Sequence, residues 1–179
     1  MEIYQPSDDS LLFADFLRKE LPKLTKKNPD LKFLEIGVGS GILSKTASEF
    51  LPAENILALD INPDAVKALQ KESFKVIWSN LFDKVLDYFD LIIFNAPYLP
   101  RDKREPKDSQ TATTGGKRGD EISLKFLRQA KRHLNKNGKI FLLISSLTPQ
   151  DKIKKLWPYK IVARKKIFME ELLVLEFKM

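Results

Sequence analysis

The chain has 179 residues, of which 43% are hydrophobic and 31% charged, a balance that is typical of a globular protein and excludes a wholly disordered chain. Its length fits one domain spanning residues 1–179, and the absence of cysteine excludes a disulfide framework, a thiol nucleophile and a cysteine-based zinc site. The formal net charge is +7, and because the chain has neither a long apolar run nor a basic-then-apolar N-terminus, we expect a soluble, cytoplasmic protein.

The predicted elements alternate between helices and strands along the chain. An amphipathic helix at 11–21, with Ser7 as its N-cap, comes first. Further helices are predicted at 41–51, 63–72, 121–137 and 148–157, and Gly138 fits the position after the helix at 121–137. Strands are predicted at 32–37, 55–61, 73–79, 88–95, 139–146, 159–168 and 169–178, the last two joined by a turn near Met169 and Glu170.

This alternation predicts an α/β, Rossmann-like fold, with a mostly parallel seven-stranded sheet and helices on both of its faces. The last two strands are expected to add an antiparallel edge. Ligands of such sheets bind at the carboxyl ends of the strands. The polar loop at 96–120 is long for a compact domain, which predicts a functional or a disordered segment.

Three glycines, Gly37, Gly39 and Gly41, stand where the first strand turns into a helix. Glycine allows positive φ and lets the backbone approach a ligand closely. Asp60 follows near the end of the next strand, where an acidic side chain can accept both ribose hydroxyls of a nucleoside. The spacing therefore predicts a Rossmann-like nucleoside site.

Three further residues are candidates for the base-binding part of this site. Ile61 is placed to cover one face of an adenine. Asn80 and Leu81, directly after the third strand, are placed to bound the adenine pocket. A turn without a ligand contact remains an alternative interpretation of Asn80.

The charge is unevenly distributed. Residues 1–100 hold 11 basic and 15 acidic side chains, whereas residues 101–179 hold 20 basic and 9 acidic ones, so the net charges are −4 and +11. The basic half either meets an anionic partner such as a nucleic acid or a ribonucleoprotein, or is a lysine-rich solvated surface.

The pattern of Glu35 followed by alternate glycines resembles motif I of the class I S-adenosylmethionine-dependent methyltransferases. The resemblance implies that Glu35 and the glycine backbone hold the methionine moiety of S-adenosylmethionine, and that S-adenosylhomocysteine is the product. No metal ligand set is expected in this chain.

A second segment, Asn95-Ala96-Pro97-Tyr98, resembles motif IV, (D/N/S)-P-P-(Y/F), of the methyltransferases that act on base amines or on the glutamine amide. The resemblance implies that the Asn95 side chain and the Ala96 carbonyl accept hydrogen bonds from the acceptor nitrogen, and that Tyr98 packs against its planar group. Pro97 biases residue 96 toward an extended conformation, which fixes that carbonyl. Ala96 departs from the motif because it replaces the first proline, so the segment is less stiff.

The N-terminal segment at 4–12 resembles the (V/I)-Y-x-P-x-(E/D)-D-(T/S)-x-L segment of the HemK-like glutamine methyltransferases, and 115–121 matches their G-G-x-x-G-x-(E/D) loop. The likeness is to the eukaryotic and archaeal branch. It implies methyl transfer to the glutamine of a Gly-Gly-Gln motif in the class I translation release factor. It also implies that Ser10 touches the cofactor and that the loop at 115–119 borders the substrate pocket.

Enzymes of that branch work with a small zinc-binding activator subunit, which adds a strand to the edge of the enzyme's sheet. The strand at 73–79 would be that edge, with Phe74, Val76 and Trp78 on one face, although Trp78 in the core is an alternative. Three other functions remain open: a DNA or RNA adenine- or guanine-N-methyltransferase that uses the basic half, a catalytically dead binding module, and a small-molecule methyltransferase.

Overall fold

The computed structural model describes residues 3–102 and 113–179, and helices and strands alternate along the chain. The α-helices are α1 (Asp8–Lys27), α2 (Ile42–Ser48), α3 (Pro63–Ala68), α4 (Glu121–Ala130) and α5 (Asp151–Leu156). The strands are β1 (Phe33–Ile36), β2 (Ile56–Asp60), β3 (Lys75–Trp78), β4 (Phe89–Asn95), β5 (Leu99–Pro100), β6 (Thr114–Gly116), β7 (Leu134–Ser145), β8 (Lys160–Lys166) and β9 (Glu171–Lys178). None of the helices within the described ranges combines the length and the apolar character needed to span a bilayer.

Seven strands form one sheet in the order β3-β2-β1-β4-β7-β9-β8. The pairs from β3 to β7 are parallel, and β9 is antiparallel to both β7 and β8. The mostly parallel seven-stranded sheet is thus confirmed, although the reversed strand, β9, lies one position in from the edge that β8 forms. The strand order changes direction at β1, so the carboxyl ends of β1 and β4 border a crevice of the kind that binds ligands in α/β sheets.

Helices cover both faces of the sheet and make two apolar cores. Leu91 of β4 belongs to the core that contains Phe13 of α1, whereas the next residue, Ile92, belongs to the core that contains Phe126 of α4. Because successive strand residues face opposite sides, a strand that is covered on both sides has to be apolar throughout. This packing places Asn95, the last residue of β4, at the carboxyl end of the sheet. Asn95 begins the segment 95–98, which is called the Asn-Ala-Pro-Tyr corner below.

The predicted helix at 121–137 is wrong in its second half. α4 ends at Ala130, a single 3-10 turn follows, and Leu134 is already buried and paired with Phe89 of β4. Asn137, with φ of +66°, and Gly138 lie where the β4–β7 register shifts, so they form an irregularity within β7 and not the end of a helix. The pairing of Leu134 with β4 outweighs helix propensity in a segment without an apolar stripe.

The loop at 96–120 contains a small second sheet, because β5 and β6 pair in parallel within it. Residues 103–112 of the loop lie outside the described residues. β3 forms an edge of the main sheet, as predicted, and Phe74, just before β3, shares a face with Val76, because both pack into the core that contains Phe13. Trp78 is 51% exposed, so it is not a core residue, and its Nε1–H donates to the Ile61 carbonyl at 2.8 Å.

Candidate active site

A cavity of about 320 Å³ lies at the carboxyl ends of β1, β2 and β4. That volume is within the range of roughly 300–1,000 Å³ that is usual for small-molecule sites. The sequence-predicted residues that line it are Ser10, Glu35, Gly37, Gly39, Asp60, Ile61, Asn80, Leu81, Asn95, Ala96, Pro97 and Tyr98. Gly41 does not line it, so the two predicted motifs meet in one cavity without that glycine.

The turn after β1, residues 37–41, has the left-handed backbone that its glycines predict. Gly37, Gly39 and Gly41 have φ of +69°, +50° and +84°. A Cβ on Gly39 would make ordinary van der Waals contact with Tyr4, whose carbonyl oxygen would lie 3.7 Å away, so it would fit without overlap. A Cβ on Gly41 would lie only 2.8 Å from Leu69 Cδ2. Gly41 therefore lets the start of α2 pack against Leu69, and it faces that side chain and not the cavity.

Asp60 connects the glycine turn to the end of β2. Its Oδ2 accepts from the Gly39 N–H and its Oδ1 from the Asn62 N–H, each at 2.8 Å. Burial raises the pKa of Asp60, while these backbone hydrogen bonds oppose the increase. Each carboxylate oxygen has a second lone pair. Asp60 can therefore hold the turn and still accept hydroxyl groups from a ligand.

Glu35 is a buried carboxyl group on β1 beside the same turn. Ser44 Oγ of α2 donates a hydrogen bond to Glu35 Oε2. Burial raises the pKa of Glu35 to about 8, although the hydrogen bonds from Ser44 oppose that increase. The neutral form of Glu35 is therefore the main one at neutral pH.

Asn95, at the end of β4, has its side-chain amide held from one side only. Its Nδ2 donates to Ser10 Oγ at 3.4 Å, and Ser10 Oγ in turn donates to Asp9 Oδ1 at 3.1 Å. Asp9 is buried and also accepts from the Tyr4 hydroxyl at 2.9 Å. Within the described part of the chain, no group donates to the buried Asn95 Oδ1. The donor side of the amide is thus engaged by the protein, and its acceptor oxygen is left for a ligand.

The loop at 115–119 packs its backbone directly against the Asn-Ala-Pro-Tyr corner. A Cβ on Gly115 would lie 2.5 Å from the Pro97 carbonyl oxygen, and a Cβ on Gly119, whose φ is +90°, would overlap the Tyr98 carbonyl oxygen. No side chain fits at either position. The loop therefore packs against the backbone of the Asn-Ala-Pro-Tyr corner. In this region the cavity is lined by Thr113 and Thr114.

Sequence reasoning missed several cavity residues. Tyr4 and Asp9 lie in the N-terminal segment whose pattern was recognised, but no role was predicted for them. Burial, followed by the charge of Asp9, raises the pKa of Tyr4. Ile122 and Lys125 of α4 also line the cavity, and their spacing of three residues, which places them on one helical face, is the signal that could have identified them.

Comparison with known proteins gives consistent results. The family model described as the methyltransferase small domain matches residues 14–169. A Methanocaldococcus jannaschii protein, provisionally named a protein N5-glutamine methyltransferase, is 41% identical over 97% of this chain and 90% of its own length. The release factor glutamine methyltransferase of Lactococcus lactis subsp. lactis is 31% identical over 64% of this chain, which spans 47% of that enzyme. The structure of a ribosomal protein L11 methylase from Lactobacillus delbrueckii subsp. bulgaricus superimposes with a TM-score of 0.68 and 20% identity, covering 99% of this chain and 82% of that one.

Proposed function

The chain belongs to the methyltransferase small domain family, and we propose that it methylates the side-chain amide nitrogen of a glutamine, the one in the Gly-Gly-Gln motif of a translation release factor. The observation that carries this proposal is the buried Asn95 Oδ1, an acceptor without a donor at the end of β4 among the described residues. The names of the two relatives support the same substrate class. We further propose that residues 1–179 act as one methyltransferase domain.

The methyl donor is S-adenosylmethionine, which supplies a methyl group on a positively charged sulfur when it is bound. The cavity residues fit such a molecule, because the backbone of Gly37 and Gly39 lines the cavity and Asp60 retains lone pairs for ribose hydroxyls. We assign the methionine moiety to the backbone of Gly37 and Gly39 beside Glu35. We assign the adenine to Ile61, Asn80 and Leu81.

The acceptor nitrogen needs help because the lone pair of an amide is delocalised into its carbonyl group. We assign to Asn95 Oδ1 and the Ala96 carbonyl the task of accepting its two N–H groups, so that the nitrogen is aimed at the methyl carbon. Tyr98 packs against the planar amide. The new bond from nitrogen to the methyl group replaces the bond from the methyl group to the donor sulfur, and one of the two N–H protons leaves to solvent, so the products are a secondary amide and S-adenosylhomocysteine. Alignment and fixed dipoles account for the catalysis, with no covalent intermediate on the protein.

Asp9 and Ser10 act on the substrate indirectly, through the orientation of the Asn95 amide. If the Asn95 amide were rotated by 180°, its Nδ2–H groups would face the N–H groups of the substrate amide. Two donors would then face each other and no hydrogen bond could form. Because Ser10 Oγ donates to Asp9, it is left to accept from Asn95 Nδ2, which favours the orientation with Oδ1 toward the acceptor. We therefore assign to Ser10 a positioning role beside the cofactor contact that the resemblance implies.

Two partner predictions remain proposals. β3 is an edge strand with Trp78 half-exposed, which suits a small activator subunit that pairs with this edge. Contact between the basic half and a nucleic acid has no further support. The experiment below tests both partners, because it includes a candidate activator and total RNA.

The test is transfer of labelled methyl from S-adenosylmethionine to three substrates, each with and without a candidate activator. The substrates are a release factor, its variant with Gln→Ala in Gly-Gly-Gln, and total RNA. We expect label on the intact factor and none on the variant. Equal label on factor and variant, or label on RNA alone, would overturn the proposed substrate.

A further inference from the structure

The turn between β8 and β9, residues 167–170, presents two large apolar side chains to solvent. Phe168 is 98% exposed and Met169 is 81% exposed. A single exposed apolar residue is ordinary, but adjacent, almost fully exposed phenylalanine and methionine side chains contribute nothing to the core. Phenylalanine and methionine are enriched where proteins bind other proteins.

Hydrogen bonds hold this turn in place. The Ile167 N–H donates to the Glu170 carbonyl at 2.9 Å, and the Glu170 carboxylate accepts from Ser145 Oγ at the end of β7. Ser146 and Glu171 exchange two further bonds, in which the Ser146 N–H donates to the Glu171 carbonyl at 2.7 Å and the Glu171 N–H donates to Ser146 Oγ at 2.9 Å. The turn is thus a pre-organised platform, so a partner that binds there has little chain entropy to overcome.

The turn lies on the same edge of the sheet as the cavity. Asn95 of β4 is in register with Leu143 of β7, and Ser145 of β7 is in register with Leu172 of β9. β9 is two strands away from β4, which corresponds to about 10 Å. A protein interface of standard size is about 30 Å across, so a protein whose side chain reaches Asn95 also covers the turn.

Residues 145–148 connect the cavity wall to the turn by hydrogen bonds. Tyr98 lines the cavity, and its carbonyl accepts a bond from Thr148 Oγ1 at 3.5 Å. Leu147, the residue before Thr148, is 57% exposed. Leu147 is therefore an exposed apolar side chain in a segment that is hydrogen-bonded both to the cavity wall and to the turn that carries Phe168 and Met169.

The charges beside the turn favour a protein partner over a nucleic acid. Arg164 pairs with Glu171 at 3.7 Å, and Lys165 pairs with Asp8 at 2.8 Å. Phosphate binding requires cations that are available to neutralise phosphates. Here two of the basic side chains on β8 are already matched by carboxylates.

We propose that Leu147, Phe168 and Met169 form a docking surface for the folded protein that carries the acceptor glutamine. This proposal rests on the proposed function, and it adds where the body of the substrate binds while its glutamine enters the cavity. A short peptide that fills only the cavity would not reach the turn.

The experiment compares two substrates: a folded release factor and a short peptide containing Gly-Gly-Gln. We expect the double variant Phe168→Ala/Met169→Ala to raise the KM for the folded factor about tenfold or more, because truncated anchors of an interface typically cost that much. The values of kcat for both substrates and the KM for the peptide should stay unchanged. Leu86→Ala is the matched control, because Leu86 is 90% exposed but precedes β4 at the opposite edge of the sheet, and it should change neither KM.

The outcomes separate this proposal from the proposed function. Transfer to both substrates with an unchanged KM for the folded factor in the double variant overturns the docking surface alone. An equal loss with peptide and folded factor also overturns it, because the turn then acts on the catalytic site or on the fold. Absence of transfer by the wild-type protein to either substrate overturns the proposed function, and the docking surface with it.

Discussion

Two glycine turns lie at the carboxyl edge of the sheet, and they use glycine for opposite reasons. At 37–41 the glycines give positive φ, and Gly39 lines the cavity at a position where a Cβ would make only ordinary van der Waals contact. At 115–119 the glycines leave no space, because the Pro97 and Tyr98 carbonyl oxygens occupy the positions that side chains would take. The first turn forms a surface that a ligand can approach, whereas the second is a packed support for other backbone.

This difference divides the proposed reaction between two regions. In the proposed assignment, the turn after β1, with Asp60 and Glu35, serves the methyl donor. The loop at 115–119 packs on residues 97 and 98 of the segment that is assigned to the acceptor, which begins at Asn95. The division predicts that substitutions in one region change cofactor binding and that substitutions in the other change methyl transfer.

The largest expected effect is that of Asn95→Ala. We expect kcat to fall by about 100- to 1,000-fold, the usual cost of losing one hydrogen-bonding group that stabilises a transition state. The dissociation constant for S-adenosylmethionine, measured by calorimetry, should be unchanged because Asn95 is assigned to the acceptor side.

The contrasting substitution is Asp60→Ala. It should weaken cofactor binding and leave kcat nearly intact at saturating cofactor, because Asp60 holds Gly39 and is assigned to the ribose. If Asn95→Ala and Asp60→Ala altered the same parameter, the division between donor and acceptor regions would be wrong.

A pH effect on stability tests the donor side without any substrate. Glu35 has a pKa of about 8 in the folded protein and an ordinary value of 4.5 when it is unfolded. Between these values the folded state keeps a proton that the unfolded state releases, so stability falls as pH rises, by about 1.4 kcal/mol per pH unit. The stabilising contribution is complete below pH 4.5 and lost as pH rises through 8.

Glu35→Gln should remove this dependence, since glutamine does not titrate and still accepts a bond from Ser44. Between about pH 6 and 7.5 the free energy of unfolding, measured with urea, should fall about 2 kcal/mol more in the wild type than in the variant. Glu54→Gln, at an exposed carboxylate, is the control and should follow the wild type. Parallel pH curves for wild type and Glu35→Gln would show that Glu35 is already ionised when buried.

A pair of glycine substitutions sharpens the comparison of the two turns. Gly115→Ala places a Cβ against backbone oxygens that cannot rotate away, so the corner must shift, and kcat should fall about tenfold or more with cofactor affinity unchanged. Gly39→Ala has room for its Cβ but strains a backbone with φ of +50°, which costs about 1–2 kcal/mol, and it should weaken cofactor binding instead. Loss of cofactor affinity in Gly115→Ala would contradict the assignment of the second turn to the acceptor.

The sequence was sufficient to predict the sheet and twelve of the residues that line the cavity, for physical reasons that are visible in particular residues. Strands such as β4, covered on both faces, carry uninterrupted apolar runs. A glycine turn after one strand and an acidic residue at the end of the next are typical of a nucleoside site. The predicted helix start at Pro63 is confirmed, and the side chain of Asn62 accepts from the Asp64 N–H in front of α3.

What the sequence could not give depends on contacts between distant segments. Leu134 belongs to β7 because it pairs with Phe89, and nothing within 121–137 reveals that partner. Gly41 has the same spacing as its neighbours in the turn, yet it faces Leu69 and not the cavity. Part of the reason for the glycines at 115–119 is also distant, because a Cβ on Gly119 would meet the Tyr98 carbonyl oxygen and one on Gly115 would meet the Pro97 carbonyl oxygen as well as Gly119.

The smallest expected effect concerns Ser10, which lies between the two regions. Ser10→Ala removes the oxygen that accepts from Asn95 Nδ2, so the Asn95 amide is free to rotate and spends part of its time with the donor toward the substrate. A neutral hydrogen bond is worth about 1 kcal/mol, which predicts a fall in kcat of about threefold to fivefold. Ser10→Thr keeps the hydroxyl and should restore kcat, whereas a merely structural role would not separate alanine from threonine in this way. If Ser10→Ala instead raised the dissociation constant for S-adenosylmethionine and left kcat unchanged, Ser10 would belong to the donor side, and the Asn95 amide would be oriented by the acceptor itself.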